Sequence, residues 1–262
     1  MHRHLLAIAL ALCCQAAFAE EAPSRKLPPE QETAHLRSAE SIGAAIQLHD
    51  HAAAVATDAA LGLKAFKNDR RIRGWITEPR QGRIIVTFID QTPSALYRVV
   101  VSEDGVASPV VALDSPTPLS GYEQGAAAAR AAAMASEFQP CSKSYNSVVL
   151  PAPTAVDGDW VVYLLPATTK SGIVPLGGTY RMDVSGDTVT AQRGFTRTCV
   201  TLQNTPRTAG LMITHLLDPV PTEAHVFWSL WAGQPMYVAI ANGTLWAIEN
   251  GKIRLLEHDA SD

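Results

Sequence analysis

Past its first nineteen residues this chain keeps only two cysteines, Cys141 and Cys199, and has no run near the roughly 20 apolar residues that a membrane-spanning helix needs. Two thiols cannot complete a structural zinc site, which takes four ligands, and a matched pair leaves no lone cysteine as nucleophile. Cations are in deficit: 21 Lys and Arg against 25 Asp and Glu give a net charge of −4, a balance that does not invite nucleic acid. There is no Gly-x-Ser-x-Gly elbow, no phosphate-cradling Gly-Lys-Ser/Thr loop and no dinucleotide-binding glycine pattern. These absences remove the commonest hydrolase and nucleotide-dependent classes and imply no cofactor.

What is present begins with a secretory pattern: Arg3, an apolar run from Leu5 to Leu12, and Ala17-Phe18-Ala19 as a small-x-small cleavage site. Residues 1–19 read as a signal peptide cut before Glu20, which places the mature chain in the periplasm or outside the cell. Cys13 and Cys14 sit in a poor lipidation context, after Leu12 and after a cysteine. In an oxidising compartment Cys141 and Cys199 are expected to form one disulfide across a long loop.

Residues 20–37, charged and proline-bearing, read as a flexible leader. From Ser38 the apolar positions Ile42, Ile46, His49, Ala53, Ala56, Ala60 and Leu63 recur at helical spacing. Gly62 and the basic residues Lys64, Lys67, Arg70, Arg71 and Arg73 mark the helix end, as a solvated surface rather than an anion site. Four strands follow, with turns at Pro79 to Gly82 and at Glu103-Asp104-Gly105, and their economical arrangement is an antiparallel meander against the helix. The alanine-rich helix followed by YRVVVSEDGVASPVVALDS resembles the PepSY-type unit of secreted bacterial proteins over residues 39–115. That resemblance implies an α+β module that binds peptide or inhibits a protease, and it transfers no catalytic residue. Where the family's pattern closes on a glycine, this chain has Pro116-Thr117-Pro118.

Ser120-Gly-Tyr-Glu123 fits a capping box and opens a second, alanine-rich helix that runs to Phe138, ahead of Pro140. From Cys141 the chain reads as nearly all β. Strands are expected at Ser147–Leu150, Trp160–Leu165, Thr179–Val184, Thr188–Arg193, Phe195–Leu202, Leu211–Leu217 and His225–Trp231, with Asp157 in the turn between the first two. The expected whole is an α+β fold: a helix-and-sheet unit over 38–118, a connecting helix over 119–140, and an antiparallel β-rich half over 141–262 that forms a bent sheet or small barrel.

The last stretch, MYVAIANGTLWAIENGKIRLL from Met236, carries two Asn-Gly pairs between apolar segments, the favoured centre of a type I′ hairpin. A two-residue turn at Asn242-Gly243 would set Ala239 opposite Trp246 and Tyr237 opposite Ile248, so that Tyr237 and Trp246 share one face. A second at Asn250-Gly251 would set Ile253 opposite Ile248 and Leu255 opposite Trp246.

The densest polar constellation is His215, Asp218, Thr222, Glu223 and His225, with Pro219 and Pro221 stiffening the segment. As a rigid loop between strands it can present a recognition surface for a protein, peptide or small ligand. The alternative is a divalent-metal site in which His215, Asp218, Glu223 and His225 supply ligands and a general base for hydrolysis. His49 lies on the apolar stripe and reads as a core histidine; His51, two residues on, faces elsewhere on a helix. Ser144-Tyr145-Asn146 and Lys170-Ser171-Gly172 resemble two of the three signatures of penicillin-recognising serine enzymes, but Ser-x-x-Lys, which carries their nucleophile, occurs nowhere. The expectation is therefore an exported, non-enzymatic binding module, ahead of a metal-dependent hydrolase or a structural subunit of an envelope assembly.

Overall fold

The computed structural model describes residues 26–153 and 158–258. The signal peptide and its cleavage site, the leader up to Arg25 and the turn residue Asp157 lie outside the described residues. Helix α1, Pro29–Leu61, is 33 residues and about 50 Å long. It starts within the segment 20–37 and next to Glu30, where the helical pattern turns on, because Pro29 is preset for the first turn and Glu30 and Glu32 sit at its positive pole. None of the expected cations falls in its last turn. Lys64 and Lys67 belong instead to a short helix, α2 (Lys64–Asn68), and Arg71 is bonded to Asp69 at 2.6 Å.

The first sheet is the expected antiparallel meander, β1 (Gly74–Arg80), β2 (Arg83–Ile89), β3 (Ala95–Val101) and β4 (Val111–Thr117), in that order. The fourth strand starts later than Val106, since only one bridge, Val101 to Ala107, follows the Asp104-Gly105 turn before Pro109. Pro116 lies inside β4, which is tolerated because β4 is an edge strand. One face of the meander buries Val86, Phe88 and Val99 against Ala52, Ala56 and Ala60 of α1.

Helix α3, Gly121–Ala135, has the expected capping box: Glu123 N–H donates to Ser120 Oγ at 3.2 Å, and Ser120 N–H to Glu123 Oε2 at 2.8 Å. Its alanines 126, 127, 129 and 133 sit in one cluster with Ile76 and Ile89 of the meander and with Trp160, Val162, Leu164 and Met182 of a second sheet. That sheet runs β5 (Tyr145–Pro151), β6 (Asp159–Pro166), β8 (Tyr180–Ser185), β9 (Thr188–Gly194), all antiparallel. Strand β6, DWVVYLLP, is apolar without alternation because both its faces are covered: Val161, Tyr163 and Leu165 point into a different core. Between β6 and β8 lies the two-residue β7 (Ile173–Val174), which pairs with β10 (Leu202–Gln203).

The rest of the chain departs from the strand-only expectation. Strand β11, Leu211–His215, is parallel to β12, Met236–Ile240, and the crossover between them is a helix, α4 (Glu223–Ala232). The segment read as a strand, His225 to Trp231, is therefore helical, and Phe195 to Leu202 contributes only its last residue to a strand. Two open four-stranded sheets take the place of one bent sheet or barrel, and the fold remains α+β. Helix α4 and the first half of α1 cover the final sheet: Ile46, Val226, Phe227 and Trp228 share a core with Met236, Val238, Trp246 and Ile248.

The second Asn-Gly turn behaves as expected, with Asn250 and Gly251 at φ 51° and 76° and Ile248 opposite Ile253. The first does not. Only Gly243 has positive φ, Gly243 N–H bonds the Ile240 carbonyl at 3.1 Å, and the loop gains a residue. Asn242 uses its side chain instead, accepting from Thr244 N–H and Oγ at 3.1 and 2.7 Å. The register slips by one, Val238 lies opposite Trp246, and Tyr237 turns to the face away from Trp246.

The disulfide Cys141–Cys199 forms, spanning 58 positions and tying the entry to β5 to the segment after β9.

Candidate functional site

The segment from His215 to His225 divides into a strand end, a proline-stiffened loop and the first turn of α4. The prolines stop short of the helix, and Thr222 becomes its N-cap. Thr222 N–H donates to His225 Nδ1 at 3.0 Å, so the histidine fills the role that Glu or Gln takes in a capping box. That bond leaves the ring proton on Nε2, which has no partner among the described residues. Complete burial holds the His225 imidazole well below its usual value, and so neutral. Its ring meets that of His215 edge to face, with centroids 4.5 Å apart.

His215 Nε2 lies 2.8 Å from Asp218 Oδ2, and Arg193 from β9 donates to the same oxygen at 2.7 Å. Burial alone would raise the Asp218 carboxyl, but the His215 and Arg193 bonds outweigh it and bring it down to about 2. Asp218 thus clasps the loop to the second sheet. Glu223 faces elsewhere. It accepts from the Tyr163 hydroxyl at 3.2 Å and lies 3.7 Å from Arg181. The divergence has a plain cause: Glu223 and His225 stand two apart on a helix and cannot face the same way. Among the described residues no group of three or more His, Cys, Asp or Glu side chains is placed to hold a metal ion, so the four expected ligands do not form a ligand set. The recognition-loop reading meets the same packing, since Val220, Pro221 and Thr222 are buried and Asp218 is engaged.

His49 is the core histidine that the stripe implied, with Nδ1 2.8 Å from Thr77 Oγ, and burial lowers it to about 4.

An open site lies elsewhere. A cleft of about 810 Å³ is lined by Cys141, Ser142, Lys143, Ser144, Ala167, Thr168, Thr169, Lys170, Ile173, Pro175, Thr201 and Gln203. It brings together Ser144 and Lys170, from the two short segments that resembled serine-enzyme signatures, beside the disulfide. Among the described residues no carboxylate lines it, and neither lysine forms an ion pair. Ser142 Oγ is held by the Ala167 carbonyl at 2.6 Å, which fixes the two lining segments to one another. A neighbouring depression of about 370 Å³ shares Thr168, Thr169, Lys170 and Ile173 with it and continues to Asn204 and Trp231. These residues come from loops and strand ends up to 90 positions apart, and apart from the segments at Ser144 and Lys170 no local motif marks them.

No family model matches the chain, and no curated protein matches it. Among solved structures, the C-terminal domain of YpeB from Bacillus megaterium aligns with 14% identity and a TM-score of 0.18. The alignment covers 53% of this chain and 64% of that domain, so the chain spans just under two thirds of its length. At that score the likeness carries no argument about fold or function. Among the described residues no helix is long and apolar enough to cross a membrane.

Proposed function

We propose that this chain is an exported, non-enzymatic binding module that takes an anionic ligand in the cleft beside Cys141–Cys199. The observation that carries the proposal is the one-sided charge of that cleft among the described residues: two ammonium groups outside any ion pair, several hydroxyls and no carboxylate. A concave site with a few convergent polar groups is the usual form of a ligand pocket. The polar residues of the 215–225 segment, by contrast, are engaged in capping and clasping bonds. Export is supported by the residue pattern of positions 1–19 and agrees with the disulfide. A PepSY-like role for residues 39–115 is supported by one helix lying on a four-stranded antiparallel meander.

Two measurements test this. Mass spectrometry of the chain expressed with its N-terminus intact should show a product beginning at Glu20. Titration with citrate, an anionic probe, should raise the melting temperature of the wild type and leave the Lys143→Ala/Lys170→Ala variant unmoved. Equal shifts in both proteins would sink the assignment of the cleft.

A further inference from the structure

We infer that the cleft and the depression beside it form one site for an acidic saccharide, with Trp231 as the platform for a sugar ring. The inference rests on the reading of the cleft given above and names its ligand class. Trp231 is 42% exposed at the end of α4, an unusual position for so large an apolar ring in a region where Trp228 is buried. Its orientation is fixed from below. Trp228 meets it edge to face with centroids 5.2 Å apart, and Trp228 is itself anchored by an indole N–H bond to Thr179 Oγ at 2.8 Å. Asn204 Nδ2 donates to the Ala232 carbonyl at 3.0 Å and holds the β10 side of the depression to the same helix end.

The chemistry of the wall narrows the occupant. An indole face is electron-rich, and the polarised C–H bonds on one side of a pyranose ring complement it. Hydroxyl side chains such as Thr168 and Thr169 offer both donors and acceptors to sugar hydroxyls. Lys143 and Lys170 supply compact positive charges, suited to a carboxylate or phosphate on the sugar. An acidic peptide fits less well. The strands that border the depression, β7 and β10, are two residues each and give no edge on which an extended peptide could add as a strand.

Calorimetric titration of the full mature chain tests this with three probes: tetragalacturonate, its fully methyl-esterified counterpart and tetraglutamate. Tetragalacturonate should bind, with the ester weaker by about tenfold or more. Trp231→Ala and Lys143→Ala/Lys170→Ala should each weaken it by a similar factor, while Trp231→Phe, which keeps an aromatic face, stays within about threefold. Lys143 and Lys170 are exposed, so their double variant should melt with the wild type; Trp231→Ala loses its contact with Trp228, and its affinity is read at a temperature where it is folded, beside Trp231→Phe. Tetragalacturonate affinity unchanged in Trp231→Ala would overturn the inference. If tetraglutamate binds through the lysines and tetragalacturonate does not bind, the saccharide assignment fails and the anion cleft stands. If neither anion binds at about 5 mM, both fail.

Discussion

Gly43 of α1 faces Val226 of α4 so closely that a Cβ added to the glycine would lie 2.5 Å from Val226 Cβ and 2.8 Å from the Glu223 carbonyl oxygen. This approach lets one helix serve two cores, since α1 packs on the N-terminal meander at one end and on α4 at the other. Gly43→Ala would add about 1 kcal/mol of helix propensity. The clash with a helix backbone, however, has no soft neighbour to yield, and overpacking typically costs about 1–3 kcal/mol. The variant should be destabilised by up to about 2 kcal/mol in urea unfolding. Gly121→Ala, where nothing lies within 4 Å, is the control and should be neutral or stabilising.

Glu123 connects α3 to the first sheet as well as capping its own helix. Its carboxylate accepts from Thr87 Oγ at 2.6 Å and from Arg98 Nη2 at 2.9 Å, and its side chain is 3% exposed. Glu123→Ala leaves Arg98 without its partner and should cost about 3–5 kcal/mol, whereas Glu123→Gln, which keeps the capping geometry, should cost less. The acid limb of stability gives a second readout. Burial would raise this carboxyl, but the Thr87, Ser120 and Arg98 interactions prevail and hold it below 4.5. Its contribution is therefore complete above the unfolded value and is lost as pH falls through the lower folded one. The Gln variant should show a shallower fall at acid pH.

A different limb belongs to His49. Burial holds it to about 4, against 6.5 for the unfolded chain. Above pH 6.5 both states are neutral and the residue contributes no pH dependence. Between pH 6.5 and about 4 only the unfolded state takes up the proton, so the unfolding free energy should fall by about 1.4 kcal/mol for each unit that pH is lowered, on this account. His225 acts in the same direction. In His49→Asn, whose side-chain amide can still bond the Thr77 hydroxyl, the slope between pH 6 and pH 5 should drop by one proton's worth. An unchanged slope would place the proton uptake elsewhere.

Several parts of this architecture are legible in the sequence because their causes are local. Ser120 and Glu123 cap α3 through bonds three residues apart, and Asn250-Gly251 sets its hairpin register through two backbone angles. Asn242-Gly243 carries the same dipeptide but a different turn, since Thr244 follows and captures the Asn242 side chain. Helix α4 was hidden by its own burial: Val226, Phe227 and Trp228 favour strands, and a helix covered on most sides shows little polar periodicity. Thr222 and Gly233, which cap its two ends, were the available signals. The partners that decide the 215–225 segment, Arg193, Arg181 and Tyr163, come from three other strands. Spacing within the segment could not reveal that they draw its acids apart.

The disulfide was legible from the secretory residue pattern and the cysteine count, and its energetic weight can be tested. Closing a loop of 58 positions implies about 4 kcal/mol in the chain-entropy model. It closes the ends of a sheet whose strands already pair, and the Cys141 N–H is independently bonded to Tyr145 Oη at 2.8 Å. Part of the restraint therefore survives reduction in the folded state, while the unfolded chain regains all of its freedom. Cys141→Ser/Cys199→Ser should lower the unfolding free energy by about 2–4 kcal/mol, and a reductant should move the wild type by the same amount and leave the variant unaffected. Cys141 also lines the anion cleft, so the variant should lose affinity for an anionic probe at temperatures where it remains folded. Retained affinity with reduced stability would confine the bridge to holding the sheet, with Ser142 and Ala167 fixing the cleft unaided.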